Sequence, residues 1–165
     1  MRRWFALALI LLLSACGFQL RGAYPLPFEK LYIALPETTE LHAQLKRSIS
    51  AGSNARIVDT QKDAQAILLI PNDTITKNIL SLSATGRARE FQLVRTFNFR
   101  LVDDIGRDWL PPSQIVVRRD ITFTDDQVLS KEAEETLLWR DIQNDLVQQI
   151  LRRLAAAKPP TKTEP

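Results

Sequence analysis

Cysteine occurs once in this 165-residue chain, at Cys16, and histidine once, at His42. A single cysteine excludes a disulfide framework and a cysteine-type zinc site, and a single histidine excludes a His-rich metal cluster. Glycine is scarce, with five residues, and none belongs to a phosphate-cradling loop. No serine sits in a nucleophile elbow, and no metal-ligand pair falls at helical spacing. The acidic pairs Asp103-Asp104 and Asp125-Asp126 lie in polar stretches. Such pairs are turn formers, and nothing nearby supplies the apolar burial that would make them an acid and base couple. We therefore expect no catalytic residue, no metal and no dissociable cofactor. No apolar run reaches the roughly 20 residues of a membrane-spanning helix, and no repeat of solenoid or propeller period is present.

The most informative feature present is Leu13-Ser14-Ala15-Cys16, closing an apolar run that opens with Arg2 and Arg3. A charged start, an apolar middle and a small-residue end make an export signal. The cysteine directly after the small residues marks it as a bacterial lipobox; the alternative is an ordinary signal peptide, or a short N-terminal helix, with a free thiol. On the lipobox reading residues 1–15 are a signal peptide, and Cys16 becomes the first residue of the mature protein, carrying N-acyl diacylglycerol. Each buried methylene contributes about 0.8 kcal/mol, so several acyl chains hold a protein on a bilayer where one would not. Gly17 stands where aspartate would signal inner-membrane retention, which favours the outer membrane. Loss of Arg2 and Arg3 takes the 22 basic and 19 acidic side chains to 20 and 19, and the net charge from +3 to +1. A nearly neutral mature chain is not a nucleic-acid binder.

Residues 16–27 read as an extended lead from the anchor, 28–154 as a single domain, and 155–165, with a proline pair, as a disordered tail. Leu31 to Leu35 alternates as a first strand. Thr38 or Thr39 caps a helix with Leu41, Leu45 and Ile49 on one face, and Gly52 is its natural stop. His42 falls beside that stripe and reads as a partly exposed structural residue. Ile57-Val58 is a short strand candidate, and Ala66 to Ile70 a buried one. Pro71 demotes the next position to an edge or bulge, and Thr74 to Ser83 leads to a turn at Thr85-Gly86-Arg87. Phe91, Leu93, Phe97, Phe99 and Leu101 occupy alternate positions, the pattern of a strand with one wet face. After a turn region from Asp103 to Pro112, Ile115, Val117, Ile121 and Phe123 repeat it. Ser130 caps a final helix with the stripe Leu138, Ile142, Leu146, Ile150 and Leu154. The fold class expected is α+β, with two helices packed on one face of a mainly antiparallel sheet of about four strands.

Two groups of basic residues stand out. Arg95 and Arg119 interrupt the apolar faces of the two long strands, and a turn centred near Arg107 would set them opposite each other. One reading is an anion site between them, since like charges so placed need a counter-charge. The other is that each lays its stem over apolar neighbours and reaches water, or that the register differs by two residues. Arg87 and Arg89 flank the turn, and Lys131 opens the last helix.

The lipobox followed by Cys16-Gly17-Phe18-Gln19-Leu20-Arg21-Gly22, the turn Gly86 leading into Glu90-Phe91-Gln92-Leu93, and Leu129-Ser130-Lys131 at the last helix resemble the lipopolysaccharide-assembly lipoprotein family. The resemblance runs from Cys16 to about Leu154. It implies two helices on a four-stranded sheet, no enzyme activity, and a place inside the lumen of a large outer-membrane β-barrel partner. That partner is the lipopolysaccharide translocon, which the lipoprotein plugs and helps to assemble. The resemblance also implies binding of lipopolysaccharide during its insertion into the outer leaflet. Lys131 matches a lysine of the family that contacts lipopolysaccharide. The family's other basic contact precedes the turn glycine, where this chain has Ala84, and Arg87 or Arg89 is placed to take that role. The alternative is a lipid-anchored adaptor of another envelope complex, without lipid specificity.

Overall fold

Leu31 and Ile33 point inward and Tyr32 outward from the first strand, and that alternation fixes which face of the sheet becomes the core. In the computed structural model, which describes residues 24–123 and 128–160, β1 is Lys30–Ile33 and α1 is Glu40–Gly52. The cap of α1 is Thr39, whose Oγ1 accepts the His42 N–H at 3.2 Å, removing one of the unpaired donors at a helix start. Leu41, Leu45 and Ile49 are buried as expected. So is His42, at 6% exposure, which corrects its reading as partly exposed. Gly52 remains within the helix. The stop is Ser53, in extended conformation, whose N–H and Oγ–H both donate to the Ile49 carbonyl.

The chain then forms β2, Arg56–Ile57, a 3-10 turn over Gln61–Asp63, and three long strands: β3 Ala66–Leu82, β4 Ala88–Val102 and β5 Asp108–Thr122. The order across the sheet is β2-β1-β3-β4-β5. β1 runs parallel to both β2 and β3, while β3, β4 and β5 form an antiparallel meander. Parallel neighbours need a crossover, and α1 supplies it between β1 and β2. The sheet is therefore mixed and five-stranded. The expected four-strand sheet undercounts because β2 contributes only two residues.

β3 does not stop at Pro71. A register shift between Leu69 and Asn72 accommodates the proline, and β1 pairs only with Ala66, Ile67 and Leu68, so Pro71 sits where no outer neighbour asks for its missing N–H. The turns at either end of β4 share one design. Ser83 and Asp103 each accept from the N–H of a glycine three residues on, Gly86 at φ 77° and Gly106 at φ 86°. Each glycine takes a backbone conformation that other residues adopt only with strain, and each precedes an arginine whose carbonyl closes the turn.

The last helix, α2, is Val128–Ala155. It begins before Ser130, so Ser130 lies within its first turn and is not its cap. Ile142, Leu146, Val147, Ile150, Leu151 and Leu154 are at most 1% exposed. With the α1 stripe they form one core over Leu93, Phe97, Phe99, Leu101, Ile115 and Val117. Both helices thus lie on one face. The open face carries a small second cluster, Ala64, Ile67 and Val102, under Tyr32, Val58 and Leu69.

The ends of the domain extend beyond the boundaries read from the sequence. Leu26 is buried, the Tyr24 N–H bonds the Gly52 carbonyl at 2.7 Å, and the Leu26 N–H bonds Asn54 Oδ1 at 2.9 Å, so the fold already holds Tyr24 to Pro27. At the other end Ala157 is buried and the Lys158 N–H reaches the Trp109 carbonyl at 3.3 Å. The signal peptide, Cys16, the first part of the lead, Asp125-Asp126 and residues 161–165 lie outside the described residues.

Candidate functional site

The two predicted basic groups meet different fates. Two register shifts between Phe99 and Val102 follow a turn tighter than expected, one that spans Asp103 to Arg107, and β5 already begins at Asp108. Arg95 consequently pairs with Val117 and Arg119 with Leu93, so the arginines are not opposite each other. Each has its own carboxylates. Arg95, 6% exposed, donates Nε and Nη2 to the two oxygens of Asp73 at 2.9 and 2.7 Å, and Nη1 to Gln143 Oε1 at 3.2 Å. Gln143 in turn donates to Gln44 at 2.8 Å, which ties α2 to α1. Arg119 donates Nε to Asp141 at 2.7 Å and Nη2 to Asp145 at 3.3 Å. The Asp141 hydrogen bond, against the cost of burial, raises the pKa of this guanidinium. The anion that the pair was expected to need is supplied from within the chain, which corrects the reading of Arg95 and Arg119 as an external anion site.

Arg87, Arg89 and Lys131 fall at one end of the molecule. Arg87, on the β3–β4 turn, and Arg89, at the start of β4, are exposed. The Phe123 N–H bonds the Arg89 carbonyl at 2.7 Å, so the end of β5, from which the chain passes to α2, lies beside that turn. Phe91 and Phe123 meet edge to face at 5.1 Å, with the Lys77 ammonium 4.4 and 5.0 Å from their ring centres. Lys77 also pairs with Glu135 at 2.6 Å, and the Trp139 indole N–H approaches Glu135 at 3.4 Å. Lys131 is one helical turn, roughly 6 Å, nearer the tip than Glu135. It is bound to Glu134 at 2.7 Å with its side chain 18% exposed, so its ammonium is already engaged within the chain.

Sequence reasoning did not pick out two further features of this end. Lys77 lies in a run of threonine, isoleucine and asparagine, where nothing local marks it as the clamp on α2. Leu80 and Leu82, 50% and 60% exposed, place apolar surface close to the arginines. The remainder of the long hairpins presents polar side chains that satisfy one another across the open face: Ser81 with Glu90, Gln92 with Asp120, Asn98 with Gln114, and Arg100 with Asp108, at 2.8 to 3.0 Å.

A lipopolysaccharide-assembly family model, LptE, matches residues 28–154, from the start of the core to the last turn of α2. The chain belongs to this family. LptE proteins act in lipopolysaccharide assembly and are not enzymes. The chain is 28% identical to the LPS-assembly lipoprotein LptE of Pectobacterium atrosepticum, over 92% of this chain and 85% of the relative. It is 31% identical to that of Yersinia enterocolitica, over 88% and 70%. Among solved structures, lipoprotein B of Nitrosomonas europaea superposes with a TM-score of 0.73 and 41% identity, covering 85% of this chain and 91% of that one. The rare lipoprotein B of Shewanella oneidensis gives 0.65 and 26%, over 78% and 95%. The LptE match thus covers both helices and all five strands described above.

Proposed function

We propose that this LptE-family chain is an outer-membrane lipoprotein, anchored through acylated Cys16, that occupies the lumen of a large β-barrel partner, assists its assembly and binds lipopolysaccharide through Arg87, Arg89 and Lys131. The observation that carries the reading is the tip. Cationic side chains, exposed leucines and the first turns of a long helix converge at one end of a molecule whose long hairpins carry polar, mutually paired side chains on the open face. A wet barrel lumen is compatible with such a face, because its side chains keep their hydrogen bonds without water being expelled. Phosphate groups suit the arginines, which bind them in a bidentate manner. The cations displace the divalent ions that bridge lipopolysaccharide phosphates, and so loosen the aggregate.

The test is replacement of Arg87, Arg89 and Lys131 by alanine in the mature protein, with binding of labelled lipopolysaccharide and co-purification of the barrel measured side by side. Weakened lipopolysaccharide binding with intact barrel association is expected. Unchanged binding would sink the assignment of the tip. Recovery of peptidoglycan or a mixed set of soluble partners, with no barrel protein, would favour the adaptor instead.

A further inference from the structure

The far half of β3 differs from every other long strand. All ten residues from Pro71 to Leu80 are exposed, whereas β4 and β5 alternate between buried and open positions. β1 ends its pairing at Leu68, so beyond that point β3 has β4 on one side and, among the described residues, no strand on the other. The remaining edges are protected in familiar ways: β2 is two residues long, and β5 carries Pro111 and Pro112 near its start and the charged Arg118, Arg119 and Asp120 near its end. From Asn72 to Leu82 the free edge is neither short nor interrupted by proline. It presents a row of backbone N–H and C=O groups without strand partners, next to side chains that a sheet would ordinarily cover.

Those side chains define what fits. Opposite Arg95 and Phe91, and therefore on the helix side, stand Ile75 and Ile79, 56% and 58% exposed. Leu80 and Leu82, 50% and 60% exposed beyond the register shift that follows Ile79, extend this apolar surface along the edge. On the same side Asp73 and Lys77 are neutralised by Arg95 and Glu135, so no charge remains there for a partner to match. The open side offers Thr74, Thr76 and Asn78, neutral donors and acceptors in line with the polar ladder beyond them. An acyl chain would cover the isoleucines and leave the backbone groups desolvated and unpaired, which is unfavourable for each of them. An extended peptide satisfies both.

We infer that the free edge of β3, from Asn72 to Leu82, is a strand-addition site for an extended segment of another polypeptide. That segment alternates apolar residues toward α2 with neutral polar residues toward the open face, and it adds a further strand to the sheet. The site adjoins the cationic tip, with Leu80 and Leu82 at their border, and it stands whether or not the tip binds lipid.

The test places a photo-crosslinking amino acid, in turn, at Ile75, Thr76, Asn78 and Ile79 of the full lipoprotein in its native membrane, and maps each adduct by mass spectrometry. Strand addition predicts products with one segment of one partner, Ile75 and Ile79 reaching one set of alternate residues and Thr76 and Asn78 the other. Ile75→Lys with Ile79→Lys, at positions already exposed and so compatible with folding, should cut the yield from Thr76 by about tenfold or more, since charges block edges. The amides between Asn72 and Leu82 that face away from β4 should exchange about tenfold or more slowly in the membrane complex than in the isolated protein. Products with a second copy of the chain, with lipid alone, or scattered over unrelated segments would overturn the inference, as would unchanged amide exchange.

Discussion

Removing Asp73 should cost far more than an exposed carboxylate is worth, because it leaves the Arg95 guanidinium buried against β4 and α2 with only Gln143 for company. The pair is bidentate, at 2.9 and 2.7 Å, and the two side chains are 7% and 24% exposed. Breaking a fully buried pair by deleting one partner costs about 3 to 5 kcal/mol. Asp73 keeps some contact with water, so we expect about 2 to 3 kcal/mol for Asp73→Ala, still above the 0 to 1 of surface pairs. In a domain of this size that is a fall in Tm of roughly 4 to 12 °C. Replacing both partners with apolar residues, Asp73→Ala with Arg95→Met, should recover most of the loss, because no charge is then left stranded. Urea unfolding of the four proteins of the cycle, followed by circular dichroism, measures the coupling directly. A loss below about 0.5 kcal/mol for Asp73→Ala, or a double variant no more stable than the single one, would refute the argument that burial of Arg95 is what makes the pair matter.

Three further outcomes are expected from the geometry. Burial works to raise the pKa of Asp103, but the Arg107 side-chain and backbone hydrogen bonds, its charge and the Ile105 N–H outweigh this and hold it below the ordinary 3.8. Its contribution is therefore complete above 3.8 and lost as pH falls through the lower folded value, so Asp103→Asn should flatten the acid limb of a plot of urea midpoint against pH. Lys77→Ala removes both the Glu135 ion pair and the contact with Phe91 and Phe123; about 1 kcal/mol is expected, with faster amide exchange in the first turns of α2 and little change near Ile150. Gly106→Ala should cost about 1 to 2 kcal/mol, measured by thermal unfolding. A Cβ there meets nothing within 4 Å, so that cost is backbone strain alone.

Periodicity revealed the elements whose partners are decided locally. The alternation from Phe91 to Leu101 became β4 with its inward residues buried, and the stripe from Leu138 to Leu154 became the face of α2 on the core. It failed where spacing says nothing about count. A bulge leaves alternation on either side intact while shifting what lies opposite, so spacing could not choose between the facing arginines and the register two residues away, and the structure has the latter. Pro71 was read correctly as an edge signal, but the sequence did not show that β3 continues through it. Nor did it show that Lys131 is held by Glu134, although their spacing of three residues on a helix permits the contact. At the tip, Arg87 and Arg89 were legible as exposed turn residues because Gly86 marks the turn; Leu80 and Leu82 were not, since an apolar residue in a strand reads as buried until its neighbours are known.

From residue order alone came the expected lipid-modified start at Cys16, the α+β class, the absence of catalytic constellations and the resemblance to the lipopolysaccharide-assembly lipoproteins. Each depends on short spacings or on composition. Only the folded chain decided that Asp73, 22 residues before Arg95, neutralises it, that β1 ends its pairing at Leu68, and that the rest of β3 is left as a bare edge. Those facts depend on which distant segments meet. Pairing across a sheet is set by turns, bulges and the burial of whole faces, which no local window of sequence contains.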